Sequence, residues 1–151
     1  MGTLLAIFWI DKLGRRYIIL RTLPGVGGSM LVLALGMGLF AYGDSYGVRN
    51  SGSWISLIGI MLYLAFFSIG LGNAPWTVNS EIYPLHLRGV GISLSTTTNW
   101  LSNYFVSQVF LTLISTDLGK VVTFACISLF SVLAFIFVYF LLPETKGKPI
   151  E

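Results

Sequence analysis

NAPWTVNSEIYPLHLRG, running from Asn73 to Gly89, carries the decision about the fold. A proline and a tryptophan close a long uncharged run, a lone Glu81 and a lone Arg88 follow, and then charge disappears again. The stretch reads as the inner end of one membrane span, a short cytoplasmic elbow and the start of the next. Pro75 has no N–H, and in a continuous α-helix its ring would clash with the carbonyl of Leu71. With Gly70 and Gly72 close by, a broken or kinked helix is predicted there. In lipid such a break persists only where protein or a water-filled cavity satisfies the freed backbone. An ordinary kink and a functional discontinuity both fit these residues.

Composition selects the solvent. The chain of 151 residues is 55% hydrophobic, 15% aromatic and only 10% charged, with a mean hydropathy of +0.83; ordinary soluble domains carry about 25% charged residues. Lipid is therefore the expected surroundings. Cys126 is the only cysteine and His86 the only histidine, so neither an intrachain disulfide nor a Cys/His metal cluster is expected, and no cofactor motif is present. The net charge of +3 comes from scattered basic residues, without the run or stripe that phosphate recognition uses, so nucleic acid is not an expected partner.

Four windows contain no Asp, Glu, Lys or Arg: Thr22 to Gly43, Ser51 to Ser80, Gly89 to Thr116 and Val121 to Pro143. Each reaches the roughly 20 residues a helix needs to cross a ~30 Å hydrocarbon core. The expected architecture is an all-α integral membrane protein with four complete spans, at about 18–42, 54–80, 89–113 and 121–142. The apolar piece Gly2 to Ile10 is too short to cross and reads as the end of a fifth helix. Lys12, Arg15, Arg16, Arg21, Arg88, Lys146 and Lys148 fall on one side of this topology and only Arg49 and Lys120 on the other, seven against two. By the positive-inside rule the first connector, the 81–88 connector and the C terminus are cytoplasmic.

The window after the elbow is amphipathic. At 100° per residue Thr96, Asn99, Asn103 and Ser107 share an arc of roughly 80°, with Ser93 and Trp100 at its edge and Leu94, Leu101, Phe105 and Val109 opposite. Interhelical hydrogen bonding explains such a stripe; so does a path for a polyol lined by Asn99 and Asn103. Trp76 and Trp100 read either as site residues or as interfacial belt residues. Every acidic residue lies in a connector or in the tail, so none inside the windows can carry a proton. No nucleophile has a base beside it, and GVGGS (Gly25 to Ser29) lacks the lysine of a phosphate loop, which leaves close packing of small residues as its expected use and gives an enzyme no support.

Three charged clusters at cytoplasmic ends, DKLGRR (Asp11 to Arg16), SEIYPLHLRG (Ser80 to Gly89) and PETKG (Pro143 to Gly147), occur with APW (Ala74 to Trp76) and NWLSN (Asn99 to Asn103). Together they resemble the sugar porters of the major facilitator superfamily, across nearly the whole chain. PWTVNSEIYPL looks most like the proton-coupled myo-inositol transporters, with the facilitative glucose transporters next. The resemblance implies the C-terminal part of a twelve-helix fold, from the end of the eighth helix to the twelfth. It further implies that Trp76 and Asn99 contact the sugar, that Trp100 is a cavity wall with Asn103 its neighbour, and that Arg15, Arg16, Glu81, Arg88 and Glu144 belong to an intracellular gate network.

The GPGP-like run that often precedes the tryptophan is GLGNA here, and Ser68 stands where many glucose transporters carry a glutamate. The expected function is transport of a sugar or polyol, myo-inositol first and hexose as the alternative, by alternating access within a longer plasma-membrane protein. A proton would be coupled through the missing half. A truncated, non-transporting product or a nutrient sensor is the rival reading.

Overall fold

The structure, a computed structural model, describes residues 14–142. The short apolar piece Gly2 to Ile10 and the gate candidate Glu144 lie outside these described residues. Within them the order is α1 (Arg15–Tyr42), α2 (Tyr46–Phe66), a π-helical turn (Phe67–Leu71), α3 (Ala74–Glu81), α4 (Arg88–Leu113) and α5 (Asp117–Leu141). All regular structure among the described residues is helical, as lipid demands of a chain that cannot leave backbone groups unpaired.

Local chemistry sets the helix ends. Gly14, the cap of α1, has φ 96°, a left-handed conformation that favours glycine. Ser45 caps α2 by accepting from the Val48 amide at 3.4 Å, and Thr116 caps α5 by accepting from the Gly119 amide at 3.1 Å. Asp117 in the first turn of α5 complements the helix dipole and pairs with Lys120 at 2.7 Å.

Helix α1 lies between α2 and α5 and packs along both, while α2 and α5 scarcely touch. It is the most buried of the helices, and small residues allow the approach. A Cβ added to Gly52 of α2 would stand 2.5 Å from the Phe40 nitrogen and 2.8 Å from the Gly36 oxygen; one added to Gly59 would stand 2.9 Å from the Leu33 nitrogen. On the opposite side, Ser128 of α5 donates to the Gly27 carbonyl at 2.8 Å and Ser131 donates to the Leu23 carbonyl at 2.9 Å. GVGGS is thus a packing motif: Gly25 meets the Phe66 ring and Gly27 meets Ser131.

Among the described residues three helical stretches are long and apolar enough to cross a membrane: Arg15–Tyr42, the run Tyr46–Glu81 and Asp117–Leu141. Helix α4 has 26 residues, sufficient length for a ~30 Å core. Its many hydroxyls and amides make it less apolar than the other three.

Pro75 does not break a regular helix. The Gly72 amide bonds to the Phe67 carbonyl at 2.8 Å, an i→i−5 bond that widens the helix one turn earlier. Pro75 then falls in the first turn of α3, where its missing N–H removes no intrahelical bond. Ala74 and Val78 of α3 are buried with Ile18, Ile19 and Leu23 of α1, and Phe135 and Val138 of α5 pack against them. That cluster holds α3 and, with it, Trp76.

Candidate functional site

The four substrate candidates stand on two consecutive helices. Trp76 projects from α3 and is 48% exposed; Trp100 of α4 is 67% exposed. Asn99 and Asn103 are exposed on α4 as well, one turn apart, and the Asn103 side-chain amide donates to the Asn99 carbonyl at 3.0 Å. Among the described residues no hydrogen bond or ring contact joins Trp76 to the α4 group. No residue of α4 is buried; of its polar stripe, Asn99, Asn103 and Ser107 are exposed and Thr96 is half-buried.

Trp100 lines an open concavity of about 670 Å³ along α4, with Ser93, Thr96, Thr97, Leu101 and Tyr104. Thr96 belongs to the stripe expected from periodicity and Ser93 to its edge, whereas Thr97 and Tyr104 do not. Leu101, expected on the apolar side, shares this wall with Trp100. Phe105 and Val109 instead face Thr123 and Ile127 of α5 across an apolar groove of about 380 Å³. One edge-to-face contact, Phe110 on Phe124 with ring centroids 6.2 Å apart, ties α4 to α5 at that end.

The gate candidates among the described residues stand at helix ends: Arg15 and Arg16 open α1, Glu81 closes α3 and Arg88 opens α4. Arg15 donates to Glu81 at 3.0 Å, their side chains only 17% and 20% exposed, so this pair is screened less than a surface pair. Arg16 donates to the Tyr139 carbonyl at 2.6 Å, satisfying a backbone oxygen in the last turn of α5. Arg88 opens α4, where the helix dipole disfavours a cation and no acidic residue stands in the first turn. Its Nε and one terminal nitrogen are buried without a hydrogen-bond partner among the described residues, as is the second carboxylate oxygen of Glu81.

Three sets of contacts were not expected from the sequence. Ser128 and Ser131 were signalled by their i, i+3 spacing in an otherwise apolar helix. Arg16 on the Tyr139 carbonyl had no signal, because a backbone acceptor has no residue identity. The third, Tyr83 hydroxyl to Ser95 hydroxyl at 2.6 Å across the elbow, joins residues 12 apart whose meeting depends on the turn between them.

Comparisons with known proteins agree with this architecture. The family model described as "Sugar (and other) transporter" matches residues 1–151. The chain is 36% identical to Myo-inositol transporter 1 of Saccharomyces cerevisiae over 99% of its own length and 26% of that protein's. It is 46% identical to the Proton myo-inositol cotransporter of Homo sapiens over 66% of its own length and 15% of that protein's. The inward-open xylose transporter XylE from E. coli superposes with a TM-score of 0.81 at 30% identity, over 99% of this chain and 31% of that one. The chain thus spans less than a third of the length of these curated relatives. By the match along its whole length, the chain belongs to the Sugar (and other) transporter family of multi-pass membrane proteins.

Proposed function

We propose that the chain acts as the C-terminal part of a longer transporter that moves a sugar or polyol across the membrane by alternating access. Trp76, Asn99, Trp100 and Asn103 form its share of the substrate site. The observation that carries the reading is the state of α4: a helix of 26 residues with no buried residue, on which Asn99, Asn103 and Ser107 are exposed. In hydrocarbon these groups are costly to leave without partners. A water-filled path closed by an opposing half supplies them, and repeat-built transporters place their sites at such an interface near the midplane. Trp76 fits beside the path because α3 begins just after the π-helical turn, and irregular backbone in a membrane belongs next to protein or a cavity.

Myo-inositol is the preferred substrate, supported by the inositol transporters among the relatives; a hexose is the second reading. Proton coupling, supported by the name of the human relative, requires an acid outside this chain's spans. Asp44, Glu81 and Asp117 are the acids among the described residues, and all stand at helix ends or in connectors. Arg15, Arg16, Glu81 and Arg88, with Glu144, form the intracellular gate network; the buried Arg88 nitrogens, which have no acceptor among the described residues, suit a carboxylate of that network or of the other half. The C terminus faces the cytoplasm of a plasma-membrane protein.

Substitution in the complete transporter tests the site. Asn99→Ala and Trp76→Leu raise KM for myo-inositol about two- to tenfold, the equivalent of one lost net hydrogen bond or ring contact. Leu94→Ala, 64% exposed and outside both α4 concavities, is the control and leaves uptake unchanged. Equal behaviour of all three would assign the stripe to packing and favour a non-transporting product or a sensor.

A further inference from the structure

We infer that Tyr83, seated on Gly91 and bonded to Ser95, is a positioning residue that fixes the rotation of α4 about its own axis. This role rests on the reading of Asn99 and Trp100 as substrate contacts. The elbow brings Tyr83 back over the first turn of α4 after α3 ends at Glu81. Its ring covers Gly91 so closely that a Cβ there would stand 2.6 to 2.8 Å from ring atoms. Glycine makes the seat.

The hydroxyl then reaches Ser95 Oγ at 2.6 Å, while the Ser95 hydroxyl donates to the Gly91 carbonyl at 2.9 Å. A serine has one hydroxyl hydrogen. With that hydrogen directed at Gly91, Tyr83 is the donor and Ser95 the acceptor, and the contact has a direction as well as a distance.

Gly91, Ser95, Asn99 and Asn103 recur at four-residue spacing, so they form one row on the helix surface. Asn99 stands about 6 Å along the axis from Ser95, and Asn103 about 12 Å. The row Tyr83 grips is the row that carries the amides. Elsewhere α4 has little to hold it: none of its residues is buried, and Phe110 on Phe124 ties its far end. An edge contact between rings resists a turn about the helix axis weakly, whereas a hydrogen bond to one row resists it directly. Losing the Tyr83 hydroxyl therefore lets the amide row swing while the ring stays seated.

The test uses the complete transporter and two readouts. Spin labels at Ser80→Cys on α3 and Ser107→Cys on α4, in a background with Cys126→Ser and no other cysteine, report the inter-helix distance distribution by electron double resonance. Uptake kinetics report KM and kcat. Tyr83→Phe and Ser95→Ala should each broaden the distribution and raise KM roughly three- to tenfold with kcat little changed, the scale of one hydrogen bond. Ser95→Thr, which keeps the hydroxyl, should restore both, a rescue that general loss of stability would not show. An unchanged distribution in both variants overturns the inference. So does a broadened distribution with unchanged KM, and Asn99→Ala in parallel locates the fault: if it raises KM, the positioning role alone fails; if it does not, the site reading has failed and the role falls with it.

Discussion

Replacing Gly52 by alanine tests the helix crossing at the centre of the fold. The new methyl group would sit 2.5 Å from the Phe40 nitrogen, 2.8 Å from the Gly36 oxygen and 2.9 Å from the Leu39 carbonyl carbon. All three are backbone atoms, so no rotamer change relieves the clash. Favourable carbon contacts begin near 3.5 Å; α1 and α2 must therefore separate locally by roughly 1 Å, at about the 1 to 3 kcal/mol typical of overpacking. Helix propensity works the other way, because alanine is better than glycine inside a helix by about 1 kcal/mol.

Gly28→Ala is the matched control, since a Cβ there meets nothing within 4 Å and only the propensity gain remains. The difference between the two variants isolates the crossing. We expect Gly52→Ala to be less stable than Gly28→Ala by about 1 to 3 kcal/mol when unfolding is followed by steric trapping in bicelles. Equal stabilities would show that α1 and α2 do not cross at Gly36 and Gly52 as described, and the central place of α1 would fall with that contact.

Ser128→Ala and Ser131→Ala should each destabilise the α1–α5 pair by about 0.6 kcal/mol and by no more than about 1.7, measured in the same assay, with Ser→Thr at either position retaining the hydroxyl. The proposed topology predicts that, in a Cys126→Ser background, a membrane-impermeant thiol reagent labels Asn50→Cys from outside and Leu85→Cys only from inside; labelling of Leu85→Cys from outside would reverse the orientation.

The helical character of the apolar windows was readable because it is local. A long run without charge in a charge-poor chain leaves the backbone no partner but itself, and the polar row on α4 follows from a period of 3.6 residues. The π-helical turn at Phe67–Leu71 was only half legible. Pro75 announced that the helix must change, but the ladder widened a turn upstream, so that the proline could fall where no bond was required of it. The expectation that Leu101 would lie apart from Trp100 failed for a related reason: an arc drawn at 100° per residue says which side chains share a face, and not how wide a concavity that face will border.

Sequence by itself determined the solvent, the helical class and the identity of the small residues able to lie in a crossing. Tertiary structure decided which helix is central. Helix α5 is more apolar than α1, yet α1 is the one enclosed, because Gly36 fits against Gly52 on one side and Gly27 against Ser131 on the other. Lipid tails solvate leucine as well as a neighbouring helix does, so helix packing in a membrane is chosen by backbone approach and hydrogen bonding rather than by greasiness. The same limit applies at the elbow, where tyrosine, glycine and serine are ordinary residues until the turn from α3 to α4 brings Tyr83 over Gly91 and onto Ser95.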